Sequence, residues 1–460
     1  MEKYGMCIGK FYPLHKGHIN MIQKASSLVD HLFVIVSHSD IQSEKLFEQS
    51  NLKRPLTARD KLRIVQKTFQ MQPMIQPILI DETNVPSYPN GWEQWAELVK
   101  NSVLSSRRTP KDFTNFSELS IFINEPSDVD GYQKYFGCEV LVLDQYRTDM
   151  NISATEIRKD PAKYWEFLPR ASREAIAPTI EIAGGESSGK TIIVDKLGNF
   201  FGTTTVWEYG RTYCEAELGG DEAALQYDDY AIIANQHYQD IRFARRNANK
   251  FVISDTGYVA TQAFCLAYEG REHPSVQEKI DNDRFDLTIL LDNSTKWVDD
   301  GQRLIGNDEG RIAFQNTLKQ IYQSNNISYV EIKTSSYLHR YEICKAVISA
   351  YINEKYSIGQ LQHLVNKMEH RFSSEPKTDS SYDYSLSERQ FNVIINRRIS
   401  NESSSLIVLK KMIGGRFDIV QVDKKAFLSS SNEFVFTESE IKKHNENLLP
   451  FAVDIKKAGY

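Results

Sequence analysis

Eight consecutive residues, Gly184-Gly185-Glu186-Ser187-Ser188-Gly189-Lys190-Thr191, fit the pattern G-x-x-x-x-G-K-[ST] of the phosphate-cradling P-loop. Glycines without a Cβ let backbone N–H groups close on a polyphosphate. A helix starting at the lysine would add its unsatisfied donors and its dipole. Lys190 would then reach the β- and γ-phosphates of ATP, and Thr191 would hold Mg²⁺ through its hydroxyl. The plain alternative is a glycine turn between a strand and a helix. The flanks favour chemistry. Residues 179–183 are an apolar strand-like run, and residues 191–200 place Ile192, Ile193, Leu197 and Phe200 as a helix would.

A second loop lies near the start. Gly9-Lys10-Phe11-Tyr12-Pro13-Leu14-His15-Lys16-Gly17-His18 follows a short apolar run at 4–8. It precedes Ile19, Ile22, Ala25, Leu28 and Val29 at helical spacing, and residues 32–36 then read as a buried strand. Strand, helix and strand open a parallel, doubly wound sheet. His15 and His18 would stand beside a helix N-terminus, with Gly9 and Gly17 permitting close backbone approach. Imidazoles so placed can donate hydrogen bonds to charge building on phosphoryl oxygens while the α-phosphorus of a nucleoside triphosphate is attacked. A single histidine is more often a packing residue. Two around a glycine, between strand and helix, point to function.

The other candidates are strand ends and helix starts. Residues 251–255 form an apolar run closing on Asp255, at the sheet edge where a carboxylate can orient Mg²⁺ or take a hydroxyl proton. Asn151-Ile152-Ser153-Ala154-Thr155-Glu156-Ile157-Arg158 starts a helix. Ser153 and Glu156 make a capping box, yet Ser153, Thr155 and Arg158 also make an anion site, and the histidine loop upstream favours that second use. Lys53-Arg54-Pro55-Leu56-Thr57 opens a helix at 58–69, equally a capped start or a phosphate contact. Trp92 and Trp95 share a helix face, as core or, for a planar heterocyclic substrate, as a platform. Trp297-Val298-Asp299-Asp300-Gly301-Gln302-Arg303 and Arg311 read as a lid whose arginines neutralise a transferring phosphoryl group, or as a charged surface helix. Further strands are expected at 119–124, 139–143, 203–208, 285–291 and 329–332, with helices at 227–246 and 337–351.

A chain of 460 residues, 41% hydrophobic and 25% charged, suits two to four soluble globular domains. A net charge of −6 argues against a general nucleic-acid or membrane-surface partner. Cys7, Cys138, Cys214, Cys265 and Cys344 show no metal spacing and read as reduced and mostly buried. Met1-Glu2-Lys3-Tyr4-Gly5 is not read as a signal peptide, and no apolar run approaches the roughly 18 residues of a membrane span. A cytoplasmic setting is expected.

The histidine loop, followed far downstream by Ile152-Ser153-Ala154-Thr155-Glu156-Ile157-Arg158, resembles the nicotinamide mononucleotide adenylyltransferases. Pro86-Ser87-Tyr88-Pro89-Asn90-Gly91-Trp92, the P-loop, Trp207-Glu208-Tyr209-Gly210-Arg211, Thr261-Gln262-Ala263-Phe264-Cys265 and Trp297-Val298-Asp299-Asp300-Gly301 narrow the resemblance. Together they resemble the NadR-type family of bifunctional adenylyltransferases and ribosylnicotinamide kinases, over residues 1–352 or so. The resemblance implies that nicotinamide riboside is phosphorylated to nicotinamide mononucleotide (NMN) with ATP and Mg²⁺. NMN is then adenylylated by ATP to NAD⁺, releasing pyrophosphate. It implies that Gly9, Lys10, Phe11, His15 and His18 bind one ATP, with Ser153, Thr155 and Arg158 on the far side of the triphosphate. Trp92 would help to hold the nicotinamide ring. In the kinase, Glu208 and Tyr209 would face ribosylnicotinamide and Asp229 its ribose, against the plainer readings of a local Glu–Arg pair and a solvated helix start. The family shows Asp-Thr-Asp where this chain has Asp255-Thr256-Gly257, so its second carboxylate is missing here.

The expected architecture is α/β: a Rossmann-like nucleotidyltransferase domain at 1–172 and a P-loop kinase domain at 173–352, both with doubly wound parallel sheets. A helix at 360–372 and a Ser-, Asp- and Pro-containing linker fill 353–388. A small β-rich module at 389–460 follows, with strands at 391–396, 406–412, 417–422 and 433–437 and a helix at 437–447. It carries no chemical motif, and the family lacks it. Some family members begin with a DNA-binding helix-turn-helix; with the first motif at Gly9, none is expected here. ATP, nicotinamide riboside, NMN and NAD⁺ are the expected partners, and a homo-oligomer is left open. The rival reading is a NAD- or nucleotide-sensing regulator with little or no turnover, which would bind these molecules without making product.

Overall fold

Leu32, Phe33, Val34, Ile35 and Val36 are apolar in succession and all fully buried, as a strand covered on both faces requires. In the computed structural model, which describes residues 2–86, 90–144, 149–295 and 308–374 and three strands between 393 and 423, they form the centre of β2 (His31–His38). β2 pairs in parallel with β1 (Tyr4–Gly9) and β3 (Ile75–Asp81). β4 (Leu119–Ile123) and β5 (Glu139–Val142) extend the sheet beyond β1, giving the order 3-2-1-4-5. Strand addition reverses at β1, and ligands of such sheets bind outside the C-terminal strand ends at that switch point. The histidine loop and the helix Lys16–Ser26 leave β1 there.

A second parallel sheet repeats the plan. β6 (Thr179–Gly184) lies between β8 (Val252–Asp255) and β9 (Leu287–Leu291), with β7 (Thr204–Val206) and β10 (Val330–Ile332) at the edges, in the order 10-9-6-8-7. The P-loop leaves β6 and opens the helix Lys190–Phe201, again at the reversal of strand order. A separate antiparallel sheet consists of β11 (Val393–Asn396), β12 (Ser405–Lys411) and β13 (Phe417–Asp423). The strand expected at 433–437 and the helix at 437–447 lie outside the described residues. Among the described residues no helix is long and apolar enough to cross a membrane.

The helix Arg170–Ile176 joins the two parallel sheets. Ala171 and Ile176 belong to one apolar cluster that also holds Ile22 and Val65 from one side and Ala244 from the other. Ser172 is fully buried, and its hydroxyl donates to the Leu14 carbonyl at 2.8 Å. Lys67 and Arg246 converge on Glu174 at 2.7 and 3.7 Å. Arg245 donates to the carbonyls of Ala175 and Ala177, and Arg54 meets Asp286 at 3.4 Å. The division expected near residue 172 therefore falls inside a packed helix and not in an exposed linker. A last long helix, Ile358–Ser374, buries Leu361 and Val365 against Val347 and Ile348 in the core of the second sheet.

Candidate active sites

The first site is built on the turn that follows β1. A Cβ at Gly9 would fall 2.7 Å from the Phe11 ring, so only glycine lets that ring fold back. Phe11 itself has φ 45°. The turn is pinned from three sides. Arg158 Nη1 donates to the Tyr12 carbonyl at 2.8 Å, the Leu56 amide donates to the Tyr12 hydroxyl at 3.2 Å, and Ser172 holds Leu14. His15 caps the next helix: its Nδ1 accepts from the Gly17 amide at 3.1 Å, leaving Nε2 to carry the proton. His18 stacks on His15 with 3.7 Å between ring centroids, and Phe11 presents its edge to His18.

These residues line a cavity of about 390 Å³ with Lys10, Ser153, Thr155 and Arg158 facing them. The two sequence motifs are thus brought together across the switch point. Ser153 and Glu156 form the expected capping box, and Arg158 Nη2 donates to the Thr155 hydroxyl at 2.9 Å. Burial lowers the Arg158 pKa, with the Tyr12 hydroxyl opposing. A second cavity of about 470 Å³ shares Lys10, Asp128 and Tyr132 with the first and is walled by Trp92 and Trp95. Trp92 stacks on Tyr135 at 5.9 Å and meets Trp95 edge-on, so it serves core and cavity together. Ser87, Tyr88 and Pro89 of that motif lie outside the described residues. Sequence reading missed Asp128 and Tyr132, which carry no motif.

In the second site the P-loop adopts left-handed or glycine-only backbone at Gly184 (φ 152°), Ser187 (φ 57°) and Gly189 (φ 85°). Side chains at Gly184 and Gly189 would strike the Leu291 carbonyl and the Tyr337 ring at 2.6 and 2.5 Å. The loop is braced from behind. Arg311 donates to the Glu186 carbonyl, Thr295 and Tyr337 to that of Ser187, and Arg340 to that of Ser188. Gln315 accepts from the Gly185 amide. Lys190 Nζ rests on the Gly185 carbonyl at 3.1 Å. Arg311 was expected on a lid; it is instead 2% exposed, because its guanidinium also donates to Thr295 and is enclosed by the loop it braces. Arg303 and the rest of 297–303 lie outside the described residues.

Asp255 ends β8 beside the loop, 1% exposed, and accepts from the Thr191 hydroxyl at 2.6 Å. Burial and then the nearby Glu208 carboxylate push its pKa up to about 6, against the pull of Lys190 and Thr191. Two adjacent oxygen donors at a phosphate cradle suit Mg²⁺, whose remaining ligands come from phosphate and water. Thr256 follows in the left-handed region at φ 72°. Its carbonyl accepts from Ser254 Oγ at 2.8 Å, and His237 Nε2 lies 3.0 Å from that same hydroxyl oxygen. The serine proton being committed to Thr256, His237 donates through Nε2. Burial pushes His237 down to about 4, so it is neutral at pH 7.

At Gly257, where the family shows a second aspartate, a Cβ would lie 2.4 Å from Glu181 Oε1 and 2.6 Å from the Phe285 ring. Glu181 fills that space, accepting from Thr288 and Tyr322, and burial raises it to about 7. A cavity of about 70 Å³ opens between Lys190, Glu208, Tyr209, Arg211 and Thr256. Asp229 is not among its lining residues. Its two oxygens accept from the Tyr213 hydroxyl at 2.7 Å and the Gln226 amide at 2.8 Å, at the start of the helix Asp229–Asn247.

Two family models match the chain: Cytidylyltransferase-like over residues 6–160 and AAA domain over 179–340. The chain is 43% identical over 354 residues to the trifunctional NAD biosynthesis/regulator protein NadR of Salmonella typhimurium, covering 77% of this chain and 84% of that protein. It is 42% identical over 351 residues to its Escherichia coli counterpart, covering 76% and 84%. A crystal structure of NadR in complex with NAD and AMP-PNP superimposes with a TM-score of 0.62 at 24% identity, over 78% of this chain and 98% of the other.

Proposed function

The chain belongs to the NadR family, and on that premise we propose that it makes NAD⁺ from nicotinamide riboside in two consecutive transfers, one at each site. The observation that carries this reading is the pair of phosphate loops with different chemistry in one chain. One joins Lys190 and Thr191 to a carboxylate; the other joins two imidazoles to Arg158.

In the first transfer the 5′-hydroxyl of nicotinamide riboside attacks the γ-phosphorus of ATP. The new O–P bond forms as the bond to ADP breaks, and the hydroxyl proton passes to the Asp255 carboxylate. The P-loop from Gly184 to Thr191 cradles the phosphates, Lys190 neutralises β and γ oxygens, and Arg303 adds a second cation at the transferring phosphoryl group. Glu208 and Tyr209, which line the cavity beside Lys190, orient the riboside. Thr191 and Asp255 would hold Mg²⁺, which would supply charge neutralisation at the phosphates.

In the second transfer the phosphate of NMN attacks the α-phosphorus of another ATP. His15 and His18 donate to the charge that builds on its oxygens, and pyrophosphate leaves toward Ser153, Thr155 and Arg158. Gly9, Lys10 and Phe11 shape the nucleotide side, and Trp92 packs on the nicotinamide ring. No covalent intermediate is required, since positioning and charge neutralisation suffice. A cytoplasmic setting is supported by five cysteines that are free and buried.

Assaying the half-reactions separately tests the proposal. Nicotinamide riboside with ATP and Mg²⁺ should give NMN and ADP, and NMN with ATP should give NAD⁺ and pyrophosphate. Tight nucleotide binding with neither product would replace this reading by a sensor.

A further inference from the structure

We infer that the helix Ile358–Ser374 belongs to the kinase's phosphate-binding machinery, and that Glu369 is a positioning residue for the P-loop. The inference rests on the kinase reading of that loop. The helix lies beyond the AAA match, which ends at residue 340, and beyond every motif that carried the family resemblance. Leu361 and Val365 are nevertheless fully buried in the core under the P-loop sheet.

The connection runs through the segment after β10. Glu369 Oε1 accepts from the backbone amides of Lys333 at 2.6 Å and Thr334 at 3.1 Å. The Thr334 carbonyl accepts from Arg340 Nε at 2.7 Å. Arg340 is fully buried, and its Nη1 donates to the Ser188 carbonyl of the P-loop at 2.8 Å. Its Nη2 is spent on Asp292 and Ser294, so the guanidinium is fixed in place at both ends. Three hydrogen bonds in series therefore link a carboxylate on the last helix to the loop that receives the nucleotide.

A second contact from the same helix acts on the segment that follows. Phe372 stacks on His339 with 4.1 Å between centroids and 7° between planes. His339 neighbours both Arg340 and Tyr337, and the Tyr337 ring is what closes against Gly189. Gln362 pins the strand itself, with its oxygen accepting from the Glu331 amide and its nitrogen donating to the Glu331 carbonyl. One helix thus holds β10, the turn after it and the start of the helix Tyr337–Asn353. Those are the elements that place Arg340 and Tyr337 behind the P-loop.

The test uses the full chain with Glu369→Ala, Glu369→Gln and Phe372→Ala. Glu369→Ala should raise the KM for ATP in riboside phosphorylation about threefold to tenfold, the scale of one or two hydrogen bonds, with a smaller change in kcat. Phe372→Ala should act in the same direction. Adenylyl transfer from ATP to NMN should be unchanged in both. Glu369→Gln keeps an accepting oxygen and should restore the wild-type KM. An unchanged KM for ATP in folded Glu369→Ala overturns the inference. So does a parallel loss in both half-reactions, or a glutamine variant no better than alanine. Wild-type protein without kinase activity would refute the underlying kinase reading instead, which keeps the two failures apart.

Discussion

The Thr191 hydroxyl donates to Asp255 Oδ2 across 2.6 Å, tying the last residue of the P-loop motif to the last residue of β8. Gly257 cannot supply a second carboxylate, because Glu181 occupies the space where its side chain would project. Asp255→Asn should therefore lower riboside phosphorylation by about 10²-fold or more, the scale of losing a general base. In the wild type the ionised carboxylate is the working form. A variant rate within about twofold of wild type would move the role elsewhere.

The two sites should fail independently. Lys190→Ala removes the P-loop ammonium and should abolish the kinase while leaving adenylyl transfer intact. His18→Ala removes one transition-state donor and should cost roughly 10²-fold in adenylyl transfer with phosphorylation preserved. Steady-state assays of each half-reaction decide this. Loss of both activities in either folded variant would mean that the sites are not separate.

Glu181 gives the fold a pH signature. Its carboxyl titrates near 7 in the folded chain, against 4.5 as the ordinary value. The folded state thus holds its proton more tightly than the unfolded state. The contribution of this group to stability is fully present below pH 4.5 and is lost as pH rises through 7. Glu181→Gln cannot titrate, and whatever fixed cost the amide carries is the same at each pH. The stability of the variant relative to wild type should rise by about 3 kcal/mol from pH 4.5 to 8, at ~1.4 kcal/mol per pKa unit. Urea unfolding at both pH values measures it. Parallel pH profiles for the two proteins would contradict the assignment.

Residues beyond 375 should be separable from catalysis. Every bracing contact traced to either site ends by Phe372, and the three described strands further on form a sheet of their own. A protein ending at residue 375 should keep both half-reactions within a fewfold of the full chain. Any change should appear in solution mass or solubility. A folded but inactive truncation would show that the tail contributes to a site.

The legibility of the sequence followed the range of the interactions. The P-loop, the histidine loop and the Ser153–Glu156 capping box are local, so spacing alone exposed them, and the apolar runs of β2, β6 and β8 announced buried parallel strands. What stayed hidden acts across the chain. Arg340 looks like any helix arginine until it is seen on Ser188, 152 residues away. Ser172 looks like a linker serine until it meets Leu14. Arg311 passed for a lid residue because its burial depends on a loop far upstream. Gly257 signalled only a missing carboxylate, and the Glu181 side chain that excludes one is invisible without the sheet.

The account stands on one chain carrying nicotinamide riboside to NAD⁺. A time course of the purified protein with nicotinamide riboside, ATP and Mg²⁺, resolved by chromatography, tests this most directly. NMN should appear first and then NAD⁺, with one ADP and one pyrophosphate formed for each NAD⁺. Nucleotides that bind and return unchanged, or NMN that accumulates without ever yielding NAD⁺, would contradict it.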